Sequence, residues 1–208
     1  MIISKAFYVG KFEVTQSQWQ AIMGNNPAYF KKAGNDAPVE SVSWDDCNGF
    51  MEKSKLRFLT EAEWEYACRA GTTTPFNLGD NITPDQVNYD GNYPYADSSK
   101  GIYRQTTVPC GSLPNANAWG CYDFHGNVWE WCQDNYKEDI YKEDIYNNRD
   151  NIPEPQYQNK AASCVVRGGH WYHGAQFCRS SYRCYDSPSY LSNSVGLRAA
   201  RSLLWKDR

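Results

Sequence analysis

The sequence predicts one irregular domain in which helices and short strands are joined by long, packed loops. Its 208 residues suit a single hydrophobic core over residues 1–208. Helix-start signals occur in three places, whereas alternating apolar residues occur only in short runs. Aromatic residues make up 15% of the chain and charged residues 22%, so large rings rather than long regular elements are expected to fill the interior.

Short strands are predicted near both ends of the chain. Alternating apolar residues at positions 7–14 predict a strand that bends at Gly10. Apolar runs next to glycine predict strands at residues 165–169 and 195–199, and a turn at residues 126–127 leads into another aromatic-rich strand. These segments are too short to form a large open sheet.

Three helices are predicted from their capping signals. Thr15, Ser43 and Thr60 are N-cap candidates, and each is followed three residues later by a Gln, Asp or Glu that can complete a capping box. The helices are expected to end near residues 24, 51 and 71. The link from Met51 to Phe58 is then very short.

Residues 72–117 are rich in Gly, Pro, Asn, Asp and Thr and show hardly any periodicity. A segment of this length is either disordered or a set of packed functional loops. Its regularly scattered aromatic residues favour packed loops, because disordered chains are depleted in aromatics. A pentapeptide repeat at residues 137–146 is expected to form a solvated loop or helical turn without a function of its own.

Bulk properties exclude several classes of partner. The net charge is −3, the basic residues are scattered, and the sequence pI is near 5.6, so no nucleic acid is expected to bind. No apolar run is long enough for direct membrane insertion, and the N-terminus lacks a secretory signal. The eight cysteines include no C-x-x-C pair, which argues against structural zinc and leaves buried thiols and disulfides equally open.

The segment of residues 170–194 has the composition of a contact surface. It is crowded with tyrosine and serine and follows neither a strand nor a helix period. Burial of these side chains would leave their hydroxyl groups without hydrogen-bond partners. Tyrosine supplies stiff amphipathic area, and serine, glycine and asparagine supply adaptable hydrogen bonds, as in antibody paratopes. The alternative is that these tyrosines only fill space in an irregular fold.

Six blocks in order resemble the formylglycine-generating-enzyme superfamily, also called sulfatase-modifying factors, from about Phe7 to Arg198. They are Phe12–Trp19 (FEVTQSQW), Pro38–Trp44 (PVESVSW), Leu59–Ala67 (LTEAEWEYA), Gly126–Trp131 (GNVWEW), Arg167–Gly169 (RGG) and Gly196–Arg198 (GLR). The resemblance implies an α+β, C-type-lectin-like fold with two or three helices, short twisted antiparallel strands, paired terminal strands and much irregular loop.

The same resemblance implies two kinds of metal site. In the oxidase branch two cysteines of the final loop bind copper, and their positions are His173 and Cys178 here, so one thiolate is missing. Relatives also place structural calcium around the Gly-Asn-x-Trp-Glu block. The ligands that this implies are Gly126, Asn127, Val128 and Glu130. Glu130 pairing with a buried arginine, either Arg167 or Arg198, is an equally good alternative.

The C-terminal region also resembles the variable proteins of diversity-generating retroelements. The framework that carries the resemblance is Arg167–Gly169, Trp171, Ala175, Cys178–Ser180, Arg183, Pro188 and Gly196–Arg198. In such proteins the interleaved residues are diversified by mutagenesis at adenines, and AAC-type codons then cannot give Lys, Glu, Gln, Met or Trp. Only Trp171 and Gln176 within 170–194 belong to those types.

We therefore expect a non-enzymatic ligand-binding display protein that contacts protein targets through the 170–194 segment. No cofactor is required, structural calcium is a candidate, and the protein is expected to be monomeric. Its location is expected to be the cell surface or exterior, with the export signal absent from this chain. The alternative is a copper-dependent oxidase that acts on a substrate cysteine. The expected contact residues are His170, Tyr172, His173, Gly174, Phe177, Ser181, Tyr182, Cys184, Tyr185, Asp186, Ser189, Tyr190, Leu191 and Ser192.

Overall fold

A computed structural model describes residue 3, residues 5–138 and residues 162–203. Most of the 137–146 repeat lies outside these ranges. The described part contains three α-helices, two short 3-10 helices at Lys31–Ala33 and Ala175–Cys178, and seven short strands. The helices are α1 (Gln16–Met23), α2 (Trp44–Ser54) and α3 (Glu61–Arg69), and the strands are β1 (Phe7–Val9), β2 (Arg57–Phe58), β3 (Trp129–Asn135), β4 (Cys164–Arg167), β5 (Cys184–Asp186), β6 (Val195–Gly196) and β7 (Ala199–Ser202).

All three predicted helix starts are confirmed. Thr15, Ser43 and Thr60 are the N-caps, and each forms a reciprocal capping box with the residue three positions later. Helix α2 continues three residues beyond the predicted end at residue 51. Helix α3 ends before Gly71, because Ala70 already adopts the left-handed conformation with φ +42°. None of the described helices is long and apolar enough to cross a membrane.

Two small sheets frame the domain. The first has the strand order β1-β7-β2 and is antiparallel, so the N- and C-terminal strands pair, with Tyr8 opposite Arg201. The second has the order β5-β4-β3-β6, in which only the pair of β3 and β6 is parallel. The strand predicted at residues 7–14 is shorter than expected, because β1 ends at Val9. Beyond it, single backbone hydrogen bonds continue the contact with the C-terminal segment: Gly10 N–H donates to the Ala199 carbonyl at 2.8 Å, and Val14 N–H donates to the Leu197 carbonyl at 2.9 Å.

Large aromatic rings form the main core where α1 and α2 meet the sheets. Trp19 of α1 stacks on Phe50 of α2, with ring centroids 5.2 Å apart. Trp44 of α2 stacks on Phe58 of β2 at 4.7 Å. All four side chains are buried, at 3% exposure or less. Ring packing thus takes the place of long regular elements, and the α+β, C-type-lectin-like fold implied by the resemblance is confirmed.

The long connection at residues 70–128, all of it described, contains no helix and no strand beyond isolated bridges. It is nevertheless packed, because four of its apolar residues are fully buried in one cluster: Phe76, Ile82, Val87 and Tyr89. The prediction of packed loops is therefore confirmed. This cluster lies directly beneath the 170–194 segment, since it includes Ala175 and Cys178.

The eight cysteines are free thiols in this structure, and all but Cys110 and Cys184 are buried. They include Cys47 in the main core and Cys132 of β3 in a second apolar cluster. Of the two alternatives left open by the sequence, the structure shows buried thiols that serve as small apolar side chains.

A buried ion pair between Glu130 and Arg198 fixes how β3 meets the C-terminal strands. Arg198 Nη2 donates to Glu130 Oε1 at 2.7 Å, and Trp64 Nε1 donates to Glu130 Oε2 at 2.7 Å. Both charged side chains are at most 1% exposed. The alternative in which Glu130 pairs with an arginine is therefore the one observed, and the arginine is Arg198 rather than Arg167.

We predict that Arg198→Met lowers the free energy of unfolding by about 3–5 kcal/mol, because Glu130 then stays buried without a counter-charge. Urea denaturation of both proteins at neutral pH measures this difference. The control is Arg69→Met, which breaks a half-exposed pair with Glu65 and should cost about 1 kcal/mol or less. Equal losses in the two variants would contradict the prediction.

Candidate functional site

The 170–194 segment leaves β4 through a tight glycine turn. Gly169 has φ +80°, and a Cβ atom at this position would lie 2.5 Å from the Cys178 sulfur, so glycine is required. The chain then forms the 3-10 helix Ala175–Cys178, in which Ala175 and Cys178 are buried. The turn therefore folds the segment back onto the core.

Framework arginines hold the backbone of this segment. Arg183 binds Glu61 at the start of α3 through two contacts, Nε–Oε1 at 2.6 Å and Nη2–Oε2 at 2.9 Å. Arg167 Nη2 donates to the Ser180 carbonyl at 2.7 Å, and Ser180 N–H donates to the Pro75 carbonyl at 2.8 Å. The charge-assisted bonds of the two arginines and the backbone bond of Ser180 anchor the segment without using the residues between the framework positions.

The predicted contact residues fall into three groups by exposure. Two of them, His170 and Gly174, are buried. The exposed ones are Tyr172, Ser181, Tyr185, Ser189, Tyr190 and Leu191. The half-buried ones are His173, Phe177, Tyr182, Cys184, Asp186 and Ser192. Leu191 at 58% and Tyr185 at 50% are the most exposed of the large side chains in the segment.

The half-buried aromatic residues form one continuous cluster over Trp129 of β3. The Tyr182 ring lies parallel to Trp129 at 6.1 Å, and Phe177 meets Tyr182 edge-on at 5.1 Å. His173 contacts Phe177 at 4.6 Å and His170 at 3.8 Å between ring centroids. Burial lowers the pKa of both imidazoles, that of His170 to about 2, so both are neutral at pH 7.

His170 and Gly174 are not surface residues, which corrects the prediction that they contact a ligand. His170 is 2% exposed, and its Nδ1 accepts the Tyr172 N–H at 3.3 Å. At Gly174 a Cβ atom would lie 2.8 Å from the Cβ of Tyr93, so this position is closed by the neighbouring loop. Both residues support the surface from below.

A loop outside the segment completes the same face, and sequence reasoning did not identify it. Asp90 N–H donates to the His173 carbonyl at 3.0 Å, and Ala175 N–H donates to the Tyr93 carbonyl at 2.9 Å. The Tyr103 ring stacks on Trp171 with centroids 6.1 Å apart. Tyr93 is 63% exposed. The only signal for this loop was its scatter of aromatic residues.

The calcium ligands implied by the family pattern fit an ion poorly here. Both oxygens of Glu130 accept hydrogen bonds from Arg198 and Trp64. The Asn127 carbonyl accepts the Trp171 N–H at 3.0 Å, and its Oδ1 accepts from Asn88 and the Val108 N–H. The guanidinium already supplies the positive charge that calcium would bring. Structural calcium at Gly126, Asn127, Val128 and Glu130 stays a prediction.

A different group of ligand-type residues lies next to Arg198. Glu13, Cys110 and Asp123 each offer one atom, and these atoms lie within 4.8 Å of one another. Burial raises the pKa of Glu13 well above 4.5, and the negative charges of Asp123 and Glu130 raise it further. No sequence pattern indicates this cluster, because its members are far apart along the chain. It brings together the carboxylate and thiol groups that could hold a cation.

The copper positions do not fit the metal of the oxidase branch. His173 occupies one of them, and its Nδ1 is buried without a hydrogen-bond partner in the described residues. Cys178 occupies the other, is fully buried, and has its pKa raised by burial to about 12. Cu(I) favours a pair of thiolates, whereas this chain offers one imidazole and one protonated thiol.

A family model described as the sulfatase-modifying factor enzyme 1-like domain matches residues 2–203. The chain is 29% identical to the chaperone protein LppX of Paenibacillus barcinonensis, over 94% of this chain and 80% of the relative. It is 30% identical to the formylglycine-generating enzyme of Streptomyces coelicolor over 78% of this chain, but spans only 52% of that enzyme.

Solved structures show the same fold. Variable protein 1 of Treponema denticola superposes with a TM-score of 0.72 and 25% identity, over 95% of this chain and 84% of that one. The I1 variant of Major Tropism Determinant superposes with a TM-score of 0.54 and 13% identity, over 95% of this chain and 50% of that one. The resemblance to variable proteins is thereby confirmed at the level of fold.

We predict that Glu13→Gln becomes more stable relative to the parent protein as pH rises from 5 to 8. Glu13 has a raised folded-state pKa, so the folded protein keeps a proton that the unfolded chain releases above about pH 4.5. The stability that protonated Glu13 contributes is thus fully present below about pH 4.5, and it is lost as the pH rises through the pKa of Glu13 in the folded protein. Glutamine has no such proton.

The measurement is the free energy of unfolding in urea at pH 5 and pH 8. Glu52→Gln, on the exposed face of α2, is the matched control and should track the parent at both pH values. A constant difference between Glu13→Gln and the parent would contradict the prediction.

Proposed function

We propose, from the premise that this chain belongs to the family of sulfatase-modifying factor enzyme 1-like domains, that it is a ligand-binding display protein. In this proposal the chain has no enzymatic activity, and its 170–194 segment contacts protein targets. The framework supplies a rigid support, and the residues between the framework positions supply the contact surface. Fold alone does not assign this role, so it rests on the site.

The proposal rests on the agreement between two independent classifications of residues. The sequence separates framework positions from the positions between them, and the structure separates buried from exposed side chains. The framework positions taken from the sequence are mostly buried: Arg167, Trp171, Ala175, Cys178, Ser180, Pro188, Leu197 and Arg198. Within 170–194 the positions between them are exposed or half-buried, apart from His170, Gly174 and Ser194. A segment whose tyrosines only filled space would not separate in this way.

Exposed apolar area is also concentrated in this segment. Among the described residues, four of the eleven exposed large hydrophobic side chains lie here. They are Tyr172, Tyr185, Tyr190 and Leu191. Exposed aromatic residues next to half-buried ones are typical of protein contact sites, where tyrosine is enriched among the residues that contribute most binding energy.

The comparisons with known proteins support the proposal at the level of the fold. Variable protein 1 of Treponema denticola is a structural neighbour over nearly the whole chain. The Major Tropism Determinant variants support only the fold, because their identity is low. For a display protein we propose a location at the cell surface or exterior, where targets are accessible, and a monomeric state.

We predict that Tyr185→Ala and Tyr190→Ala each weaken binding of selected ligands about tenfold or more, with the melting temperature changed by about 2 °C or less. The probes are twelve-residue peptides selected from a random phage library against the whole protein, without bias toward any face. Isothermal titration calorimetry measures their affinity, and thermal unfolding measures stability.

The matched control is Tyr66→Ala on α3, where an equally exposed tyrosine lies outside the proposed surface. Its affinity for the same peptides should equal that of the parent. Peptides that bind both Tyr185→Ala and Tyr190→Ala as well as the parent, together with lowered melting temperatures, would show that these tyrosines only support the fold.

The alternative of an oxidase is tested separately, because formylglycine-generating enzymes are among the relatives. We predict no copper-dependent oxygen consumption with a cysteine-containing peptide, since the first of the two copper positions of the oxidase branch carries His173 instead of a thiol. Oxygen uptake is measured with and without Cu(I), beside Cys178→Ser. Turnover in the parent that is absent from Cys178→Ser would make the protein an oxidase with an altered ligand set.

A further inference from the structure

The aromatic surface does not stop at the 170–194 segment. Trp171 contacts Tyr172 at 4.6 Å, Tyr103 at 6.1 Å and Phe30 at 5.2 Å between ring centroids. Phe30 in turn contacts Tyr29, which is 71% exposed. Residues that lie far apart in the sequence therefore form one strip of rings, and Trp171 is its centre.

A carboxylate lies at one end of this strip. Asp90 is next to the segment, because its N–H donates to the His173 carbonyl at 3.0 Å. Its Oδ1 accepts from the Asn92 N–H at 3.0 Å and from Asn92 Nδ2 at 2.8 Å. Within the described residues its Oδ2 accepts no hydrogen bond, and no lysine or arginine there forms a salt bridge with it.

The hydroxyl of Tyr103 shares this environment. Its pKa is raised, mainly by loss of contact with water and further by the negative charge of Asp90 and the neighbouring Tyr172. Trp171 and Asp90 are largely buried, at 9% and 7% exposure, whereas Tyr172 is exposed and Tyr103 is half-buried. The site thus presents tyrosine ring faces and phenol oxygens, backed by Trp171, beside one carboxylate oxygen that accepts no hydrogen bond within the described residues. We name it the aromatic corner, and its residues are Asp90, Tyr103, Trp171 and Tyr172.

We propose that the aromatic corner binds an arginine side chain of the protein target. A guanidinium stacks on aromatic faces and carries five N–H donors in a planar fork, so one group can serve a carboxylate and phenol oxygens together. The negative net charge of the chain also favours a basic partner. This inference rests on the proposed function, and it makes part of the binding surface constant, since Asp90 and Tyr103 lie outside the 170–194 segment.

The test uses the whole protein and a defined probe, the tripeptide acetyl-Gly-Arg-Gly-amide. Its neutral isostere with citrulline in place of arginine is the control ligand. Binding is followed by NMR through the indole N–H of Trp171, which has a distinct partner in the Asn193 carbonyl at 3.1 Å. We expect saturable shifts of this signal with the arginine peptide and at least about tenfold weaker binding of the citrulline peptide.

Two variants test the residues of the corner. Asp90→Asn keeps the Oδ1 acceptor and removes the charge, and should weaken the arginine peptide about fivefold or more. Tyr103→Phe keeps the ring over Trp171 and removes only the phenol oxygen, and a smaller loss is expected. Asp97→Asn removes the same charge from an exposed position of the same loop and should leave binding unchanged.

Equal binding of the arginine and citrulline peptides, or no binding by the parent, would overturn the inference. So would equal losses in Asp90→Asn and Asp97→Asn, because the effect would then be general charge. The proposed function fails by a separate result, namely that the selected peptides bind Tyr185→Ala and Tyr190→Ala as tightly as the parent protein. Arginine binding that depends on Asp90 would still stand in that case.

Discussion

The ion pair between Arg198 and Glu130 is the contact on which the rest of the structure depends. Besides Glu130, Arg198 donates to the Gly10 carbonyl at 2.9 Å and to the Tyr122 carbonyl at 2.7 Å. One side chain thus joins the turn after β1, the long loop region, β3 and the C-terminal strands. A buried pair adds little net stability over an apolar core, but any arrangement that separates its charges is strongly penalised. The pair therefore selects one way of closing an irregular fold.

That closure explains how a segment poor in regular structure can be rigid. The ends of the 170–194 segment lie beside β3, on β4 and β6, and its middle is held by Arg183 on Glu61. These contacts consist of framework atoms, so the exposed tyrosines carry little of the folding energy. Since surface substitutions away from such contacts usually change stability by about 0.5 kcal/mol or less, this surface can vary while the fold remains.

Local signals were predictable from the sequence, and spatial ones were not. The three N-caps were predicted correctly because a capping box involves residues three positions apart. The exposure of Tyr185 and Tyr190 followed from composition. The burial of Gly174 did not, because it depends on Tyr93, in a loop about eighty residues earlier in the chain. The burial of His170 did not either, because it depends on Trp129 of β3. The partner of Glu130 was likewise undecided, since two arginines were equally suitable until the strand pairing was known.

Under the proposed function, the surface combines residues that vary with residues that stay constant. Specificity is a difference between affinities, so residues that change between variants determine which target is preferred. If the two proposals hold, a fixed group such as Asp90 contributes equally to every variant and raises affinity for all targets that present a matching charge. Because it is positioned by backbone contacts to His173, its geometry does not depend on which side chain occupies that position. Constant and variable parts of the surface can therefore contribute to binding without interfering with each other.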